Sequence, residues 1–317
     1  MRVHLLVPAG FATRPTGGNV YDRHLRAGLL ARGWEVVVHE VADASELRVP
    51  DDAPVLVDSL VASWAAGALL DEPVVPLVHM LFGVPGERAL LAQAPAVLTT
   101  SAWTRRQVLA DRAVDPRRVH VALPGTELGR LVVGRAGGTE LLCAATLTEA
   151  KGQDVLLAAL ARLGDLDWHC TLAGSLEADP EFVDRLRKIA ADEGILDRVR
   201  FAGETDPVPY PEADLVVLPT RAESYGMVVT EALAHGLPVV ASAVGGVPEA
   251  LGDVGGAHPG MLVRPDDPDA LATALRRWLT DDALRRWLRG VATERRATLP
   301  TWAATAEAVA AVVGELR

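Results

Sequence analysis

Residues 215–242 read LVVLPTRAESYGMVVTEALAHGLPVVAS. The apolar run Leu215 to Leu218 stops at Pro219, a polar loop carries Glu223 and Gly226, a helical pattern runs from Met227 to Gly236, and a second apolar run follows from Pro238 to Ala241. Two short apolar runs joined by a helix form a β-α-β unit with parallel strands, because the helix carries the chain back to the edge where the first strand began. The helix starts directly after the loop, so the free N–H groups of its first turn make a seat for an anion such as a diphosphate. Glu223 lies just before that seat and Glu231 about one turn into the helix. Two carboxylates placed so can accept hydrogen bonds from sugar or ribose hydroxyls. The plainer alternative is one acidic residue that starts the helix and one that is solvated.

The same alternation extends in both directions. Before this stretch, residues 3–7, 35–39, 55–57, 74–78 and 96–100 read as strands, and residues 141–145, 169–173, 199–202, 215–218, 238–241 and 261–263 form a second series. Nearly continuous apolar strands with helices between them predict an α/β fold of doubly wound parallel sheets. The helix near 19–31 is expected to stop at Gly33. Around residues 124–139 the pattern gives way to Pro124-Gly125-Thr126 and Gly134-Arg135-Ala136-Gly137-Gly138, the chemistry of a linker. The expected organisation is a domain at 1–130, a second at 131–299, and a segment 300–317 whose helix crosses back to the first domain. Two such domains are expected to face across a cleft, with ligands at the C-terminal ends of the strands.

Composition narrows the function. A chain of 317 residues, 50% hydrophobic and 23% charged, has room for two cores. The net charge of -11 argues against a nucleic-acid partner, which needs clustered cations. Residues 1–130 hold 13 Arg and 14 acidic residues, so the acidic surplus lies in the second half. Only Lys151 and Lys188 are lysines, which makes a lysine at 151 a departure from the chain's habit of using arginine. Cys143 and Cys170 sit in apolar runs without metal-like spacing and read as buried thiols. No stretch has the ~20 apolar residues of a membrane span and no leader is visible, so a cytoplasmic protein without an integral membrane segment is expected. Arg105, Arg106, Arg112, Arg117 and Arg118 read as a solvated face, with contact to an anionic acceptor or a membrane surface as the alternative.

The spacing of Glu223 and Glu231 within ESYGMVVTEALAHGLPVVAS, together with Val244-Gly245-Gly246-Val247-Pro248-Glu249, resembles family-4 retaining glycosyltransferases of the GT-B fold. The resemblance implies that Glu223 meets the donor sugar, that Glu231 meets the ribose, and that the backbone of Tyr225, Gly226, Met227 and Val228 holds the diphosphate. It gives Lys151, at a helix start just after the first strand of the second series, the role of phosphate cation. Many members carry arginine where this chain has Thr146. Gly17 and Gly18 are similar to the family's glycine loop, and His79 stands where members place a histidine near the transferring sugar. On their own, Gly17-Gly18 would pass as a plain turn and His79 as a structural histidine. The family also has longer segments after His79, between Ala202 and Ala213, and before Leu141. The segment at Gly17 lacks G-x-G-x-x-G spacing, so a nicotinamide or flavin cofactor is not expected. No Asp-x-Asp dyad lies in the expected site loops, so no obligatory metal is expected either. The implied reaction moves a hexose from a UDP- or GDP-linked sugar to a hydroxyl of a small molecule, natural-product aglycone, lipid or glycan. A sugar-nucleotide epimerase and a non-catalytic nucleotide-sugar-binding paralogue are the alternatives.

Overall fold

The computed structural model describes residues 1–110 and 112–316, which divide into two compact units. Unit 1 comprises Met1–Gly125 and the segment that starts at Pro300; unit 2 is Thr126–Leu299.

In unit 1, strands β1 (Arg2–Pro8), β2 (Glu35–Val41), β3 (Val55–Asp58), β4 (Val74–Val78), β5 (Val97–Thr99) and β6 (Val119–Val121) form one parallel sheet in the order β2-β1-β3-β4-β5-β6. Helices α1 (Gly17–Ala31), α2 (Ser59–Leu69), α3 (Glu87–Gln93) and α4 (Ala102–Leu109) connect the strands. Strands β3, β4 and β5 are buried at every position, as expected of strands covered on both faces. Helix α1 starts two residues before the expected Asn19, where Thr16 caps it by accepting from the Asn19 N–H at 3.2 Å.

The sixth strand is the element that sequence reading missed. It has three residues, follows a 3-10 turn, Pro116–Arg118, and is interrupted at its centre by His120, so no apolar run marks it. It is held by arginines read above as a solvated face. Arg105 donates to the carbonyls of Val119 and Pro116 at 2.9 and 3.0 Å, and Arg118 to those of Ala94 and Ala92 at 2.8 and 2.9 Å. These two guanidinium groups bind main chain.

In unit 2, β7 (Glu140–Ala144), β8 (His169–Ala173), β9 (Val199–Gly203), β10 (Leu215–Leu218), β11 (Val239–Ser242) and β12 (Gly260–Val263) form a second parallel sheet, ordered β12-β11-β10-β7-β8-β9. Counted within the unit this is the 3-2-1-4-5-6 order of dinucleotide-binding folds. Helices α5 (Gln153–Ala161), α6 (Pro180–Asp192), α7 (Met227–Ala234), α8 (Val247–Leu251), α9 (Pro268–Thr280) and α10 (Asp282–Arg296) complete it. Trp168 and Trp278 are fully buried in its core, and each indole N–H reaches a carbonyl, Leu163 at 3.0 Å and Gly138 at 2.7 Å. Cys143 and Cys170 are buried free thiols, and burial pushes the Cys143 thiol up to about 12.

Helix α11 (Trp302–Gly314) belongs to unit 1 and lies on α1. Trp302 stacks on His24 at 4.3 Å and meets Tyr21 edge-on at 5.6 Å, while Ala306, Val309 and Val313 enter the core. The helices approach so closely that a Cβ on Gly28 would lie 2.6 Å from the Ala306 Cβ. No helix among the described residues is long and apolar enough to cross a membrane.

Gly28 and Gly290 both lie within helices, but a Cβ on Gly290 meets nothing within 4 Å. Gly290→Ala should therefore stabilise by about 0.5–1 kcal/mol through helix propensity. In Gly28→Ala the same gain should be outweighed by overpacking of about 1–3 kcal/mol. Denaturant unfolding of the two variants checks the opposite signs; equal effects would remove close packing as the reason for glycine at 28.

Candidate functional site

A doubly wound sheet opens a ligand crevice where neighbouring strands send their connections to opposite faces, at the C-terminal ends of those strands. In unit 2 that place is the β7-β10 pair. The loop after β7 ends in a 3-10 turn, Glu149–Lys151, and the loop after β10 carries Glu223. Lys151 Nζ donates to Glu223 Oε2 at 2.8 Å, both side chains being partly exposed. The two residues, 72 positions apart in sequence, therefore form one site.

The loops are fitted together by main chain. Gly152, at φ +69°, lies where a Cβ would come within 2.2 Å of the Pro219 carbonyl. The Ala150 carbonyl accepts from the Arg221 N–H at 2.9 Å and the Thr220 hydroxyl at 3.1 Å. The Arg221 side chain completes the clamp by donating to the Glu149 carbonyl, by a two-pronged pairing with Asp154 at 2.9 and 2.8 Å, and by a bond to Asp266 at 2.6 Å. Planar forked pairing of this kind fixes direction as well as distance. On the other side the Gly246 N–H donates to the Glu223 carbonyl at 3.1 Å, and a Cβ on Gly245 would overlap that same carbonyl. Arg221, Gly245 and Gly246 therefore set the positions of Lys151 and Glu223.

Gly226, at φ +98°, leads into α7, whose first N–H groups begin at Met227 and Val228. The Tyr225 side chain is buried, which leaves its backbone as the part suited to ligand contact. Glu231, one turn further on, accepts from the Tyr210 hydroxyl at 2.6 Å. Burial raises the Glu231 pKa, and the Tyr210 bond and the nearby His235 oppose that rise. The Tyr210 ring stacks on His235 with centroids 4.9 Å apart. Thr146 is exposed in the loop after β7, and its carbonyl accepts from Gln153 Nε2 at 3.1 Å.

Unit 1 has a second polar cluster, at the matching place in its own sheet where β1 neighbours β3. His79, directly after β4, places Nε2 2.9 Å from Asp22 Oδ1 and 3.7 Å from Asp58 Oδ2. Tyr21 meets the imidazole edge-on at 5.0 Å, and the His79 N–H donates to Ser59 Oγ at 3.1 Å. Gly18 lies against this cluster: a Cβ there would be 3.2 Å from His79 Cδ2 and 3.5 Å from Asp58 Oδ2. Gly17 has open space around it. Asp22 is wholly buried and its Oδ2 has no hydrogen-bond partner. Burial raises Asp58 to about 7, opposed by His79 and reinforced by Asp22. Burial alone would lower His79, but Asp22 and Asp58 outweigh it and raise its pKa. The three side chains bring ligand atoms within 4.8 Å of one another, a spacing a cation could use. Without an ion, the raised pKa values of Asp58 and His79 let protons balance the same charges.

A family model described as glycosyl transferases group 1 matches residues 135–295. The chain belongs to this family. Among curated group 1 relatives, D-inositol 3-phosphate glycosyltransferase 1 of Catenulispora acidiphila is 35% identical over 242 residues, covering 68% of this chain and 56% of that protein. The enzyme of the same activity from Geodermatophilus obscurus is 35% identical over 254 residues, covering 72% of this chain and 54% of its own. The chain thus spans little more than half the length of these relatives. Similar solved structures include sucrose-phosphate synthase from Thermosynechococcus elongatus, with TM-score 0.81, 23% identity and coverage of 100% and 99% of the two chains. A second is Anabaena HepE in complex with UDP and glucose, with TM-score 0.79, 18% identity and coverage of 99% and 100%. These likenesses establish the two-domain GT-B fold.

Of the residues named from sequence in this group 1 chain, the structure pairs Lys151 with Glu223, sets Glu231 against Tyr210 and sets His79 against Asp22; sequence reading did not single out Tyr210, Arg221, Asp22 or Asp58. Tyr210 is one of three tyrosines in the chain, which was the available signal. The others look like ordinary surface charges until the fold brings their partners to them.

The unit 1 cluster generates a pH prediction. Folded Asp58 holds its proton up to about pH 7, whereas its ordinary value is 3.8, so the folded state binds more protons in that window and stability falls as pH rises through it. His79 acts in the same direction: its stabilisation is full below the ordinary 6.5 and is lost as pH rises through its raised folded value. Asn at 58 can still accept from the Leu60 N–H and cannot ionise. Asp58→Asn should lose much less thermal stability than the parent between about pH 5.5 and about pH 8, and should be the more stable of the two at the upper end. Parallel curves for the two proteins would contradict the proton-balanced cluster.

Proposed function

We propose that this protein is a family-4 retaining hexosyltransferase that moves a hexose from a UDP- or GDP-linked sugar to an acceptor hydroxyl. The observation that carries this reading is the Lys151-Glu223 pair, 2.8 Å apart, Lys151 in the turn after β7 and Glu223 in the loop from β10 into α7. An ammonium held by a carboxylate before ligand arrives is released to a diphosphate when one binds, and the carboxylate becomes free to accept from sugar hydroxyls. The names of the D-inositol 3-phosphate glycosyltransferase relatives support glycosyl transfer, and the UDP and glucose held by the Anabaena protein support a nucleotide-sugar donor.

In this reading the amides of Tyr225, Gly226, Met227 and Val228 and the Lys151 ammonium stabilise the departing diphosphate. Thr146 offers a hydroxyl where the family resemblance leads one to expect arginine. The bond from the anomeric carbon to the phosphate oxygen breaks, and a bond to the acceptor oxygen forms on the same face. The acceptor proton passes to the departing phosphate oxygen, so no protein nucleophile is required. Glu223 orients the hexose, and Glu231, steadied by Tyr210, receives the ribose hydroxyls. Gly17 and Gly18 let backbone come close to the ligand, while His79 carries the proton-bearing imidazole of unit 1. The reading takes no cofactor and no obligatory metal, and a cytoplasmic location. Thr146 favours a second reading, a nucleotide-sugar binder without turnover.

The test incubates the protein, in the presence of a chelator, with UDP-glucose, UDP-N-acetylglucosamine and GDP-mannose in turn. One donor should raise the unfolding temperature and be hydrolysed slowly to free nucleotide. Lys151→Ala should weaken its binding by about tenfold to a hundredfold, the worth of a charged hydrogen bond of about 1.5–3 kcal/mol, and Glu223→Ala should abolish hydrolysis. Tight binding without turnover would select the second reading. Conversion of the donor to an epimer would select an epimerase, and no stabilisation by any nucleotide would sink the proposal.

A further inference from the structure

Unit 1 carries an apolar surface that its core does not use. Leu60, Trp64, Met80 and Phe82 are 42%, 37%, 47% and 37% exposed. Trp64 and Phe82 are two of the three large aromatic side chains exposed to this degree among the described residues, the third being Trp287. Leu60 and Trp64 are four residues apart and so share a face of α2. Met80 and Phe82 follow His79 at the end of β4. Strands β3 and β4 are parallel neighbours, with Asp58 opposite Leu77, so α2 and the loop after β4 start at the same edge of the sheet.

This surface is built rather than left over. The loop after β4 is tied to the start of α2 by the His79 N–H to Ser59 Oγ bond, 3.1 Å long. Its far end rests on α2, where a Cβ on Gly86 would lie 3.1 Å from the Ala66 Cβ. Between these ends the buried Glu87 carboxylate accepts from the N–H groups of Phe82 and Gly83 at 3.1 and 2.8 Å. An intramolecular carboxylate therefore holds the loop in the form that turns Met80 and Phe82 outward. Residues 59–70 and 73–86 contain no Asp, Glu, Lys or Arg, in a chain with 23% charged residues.

We infer that this surface receives the apolar body of the acceptor, an uncharged aromatic or aliphatic alcohol, with its hydroxyl toward the His79 end. The inference rests on the transferase reading above and names its acceptor class. Ligands of doubly wound sheets collect at the strand ends where this surface lies. A phosphorylated polyol would need cations that neither α2 nor the loop after β4 supplies. An anionic membrane would need basic residues beside the apolar ones, and these two segments have none.

The test uses the full chain without donor. Binding of 2-naphthol and 1-octanol is measured by calorimetry beside myo-inositol 1-phosphate, for the parent and for Trp64→Ser/Phe82→Ser. Both changes are at exposed positions, and an unchanged unfolding temperature confirms that the variant folds. The parent should bind at least one of the two apolar alcohols in preference to the inositol phosphate, and the double variant should bind it about tenfold more weakly. Preference for the inositol phosphate, binding of neither alcohol, or equal binding by the double variant would overturn the inference. So would sedimentation of the parent but not the variant with phosphatidylglycerol vesicles, or a dimer that the variant abolishes. Failure of the transferase reading shows separately, as absence of any donor effect while alcohol binding persists.

Discussion

Both polar sites of this protein depend on one topological constraint. Parallel strands can be joined only by crossovers, and a sheet that grows outward from its middle must send two of those crossovers to opposite faces. At that place no helix covers the strand ends, and the loops that leave them can carry side chains toward one another. In unit 2 this constraint brings Lys151 to Glu223, and in unit 1 it brings Gly18, Asp58 and His79 together. The chemistry differs, but the geometry that permits it is the same.

The two sites handle charge in opposite ways. Lys151 and Glu223 are partly exposed and neutralise each other directly, an arrangement a charged ligand can open at little cost because water already shares it. Asp22 and Asp58 are buried and His79 is largely covered, so a lone charge there would carry a heavy desolvation penalty, and the raised pKa values of Asp58 and His79 favour holding protons. The first arrangement suits exchange of partners; the second suits a fixed shape whose charge follows pH.

How much was legible in the sequence follows from the range of the forces involved. Strands such as β3 and β4, and the helix start at Gly226, were readable because they are set by local periodicity and by one residue's backbone freedom. Glu223 and Glu231 could be singled out because they lie at fixed offsets from that helix start, and Lys151 because the chain has only two lysines and the family resemblance marks it. Strand β6 was not readable, being a three-residue run broken by His120 and held by Arg105, 14 positions away. Tyr210, Arg221 and Asp22 were missed for the same reason: their partners are 21, 67 and 57 positions away, and nothing local marks the pairing.

Helix α11 has a consequence for the order in which the protein is made. Ala306, Val309 and Val313 belong to the core of unit 1, and Trp302 covers Tyr21 and His24. Unit 1 is translated first, yet these residues leave the ribosome only after all of unit 2. Domains generally fold as units during synthesis, so unit 2 can close its core at once while the older unit waits with the flank of α1 around Gly28 uncovered. The first core begun is thus the last one finished, and the helix that follows unit 2 acts as its seal.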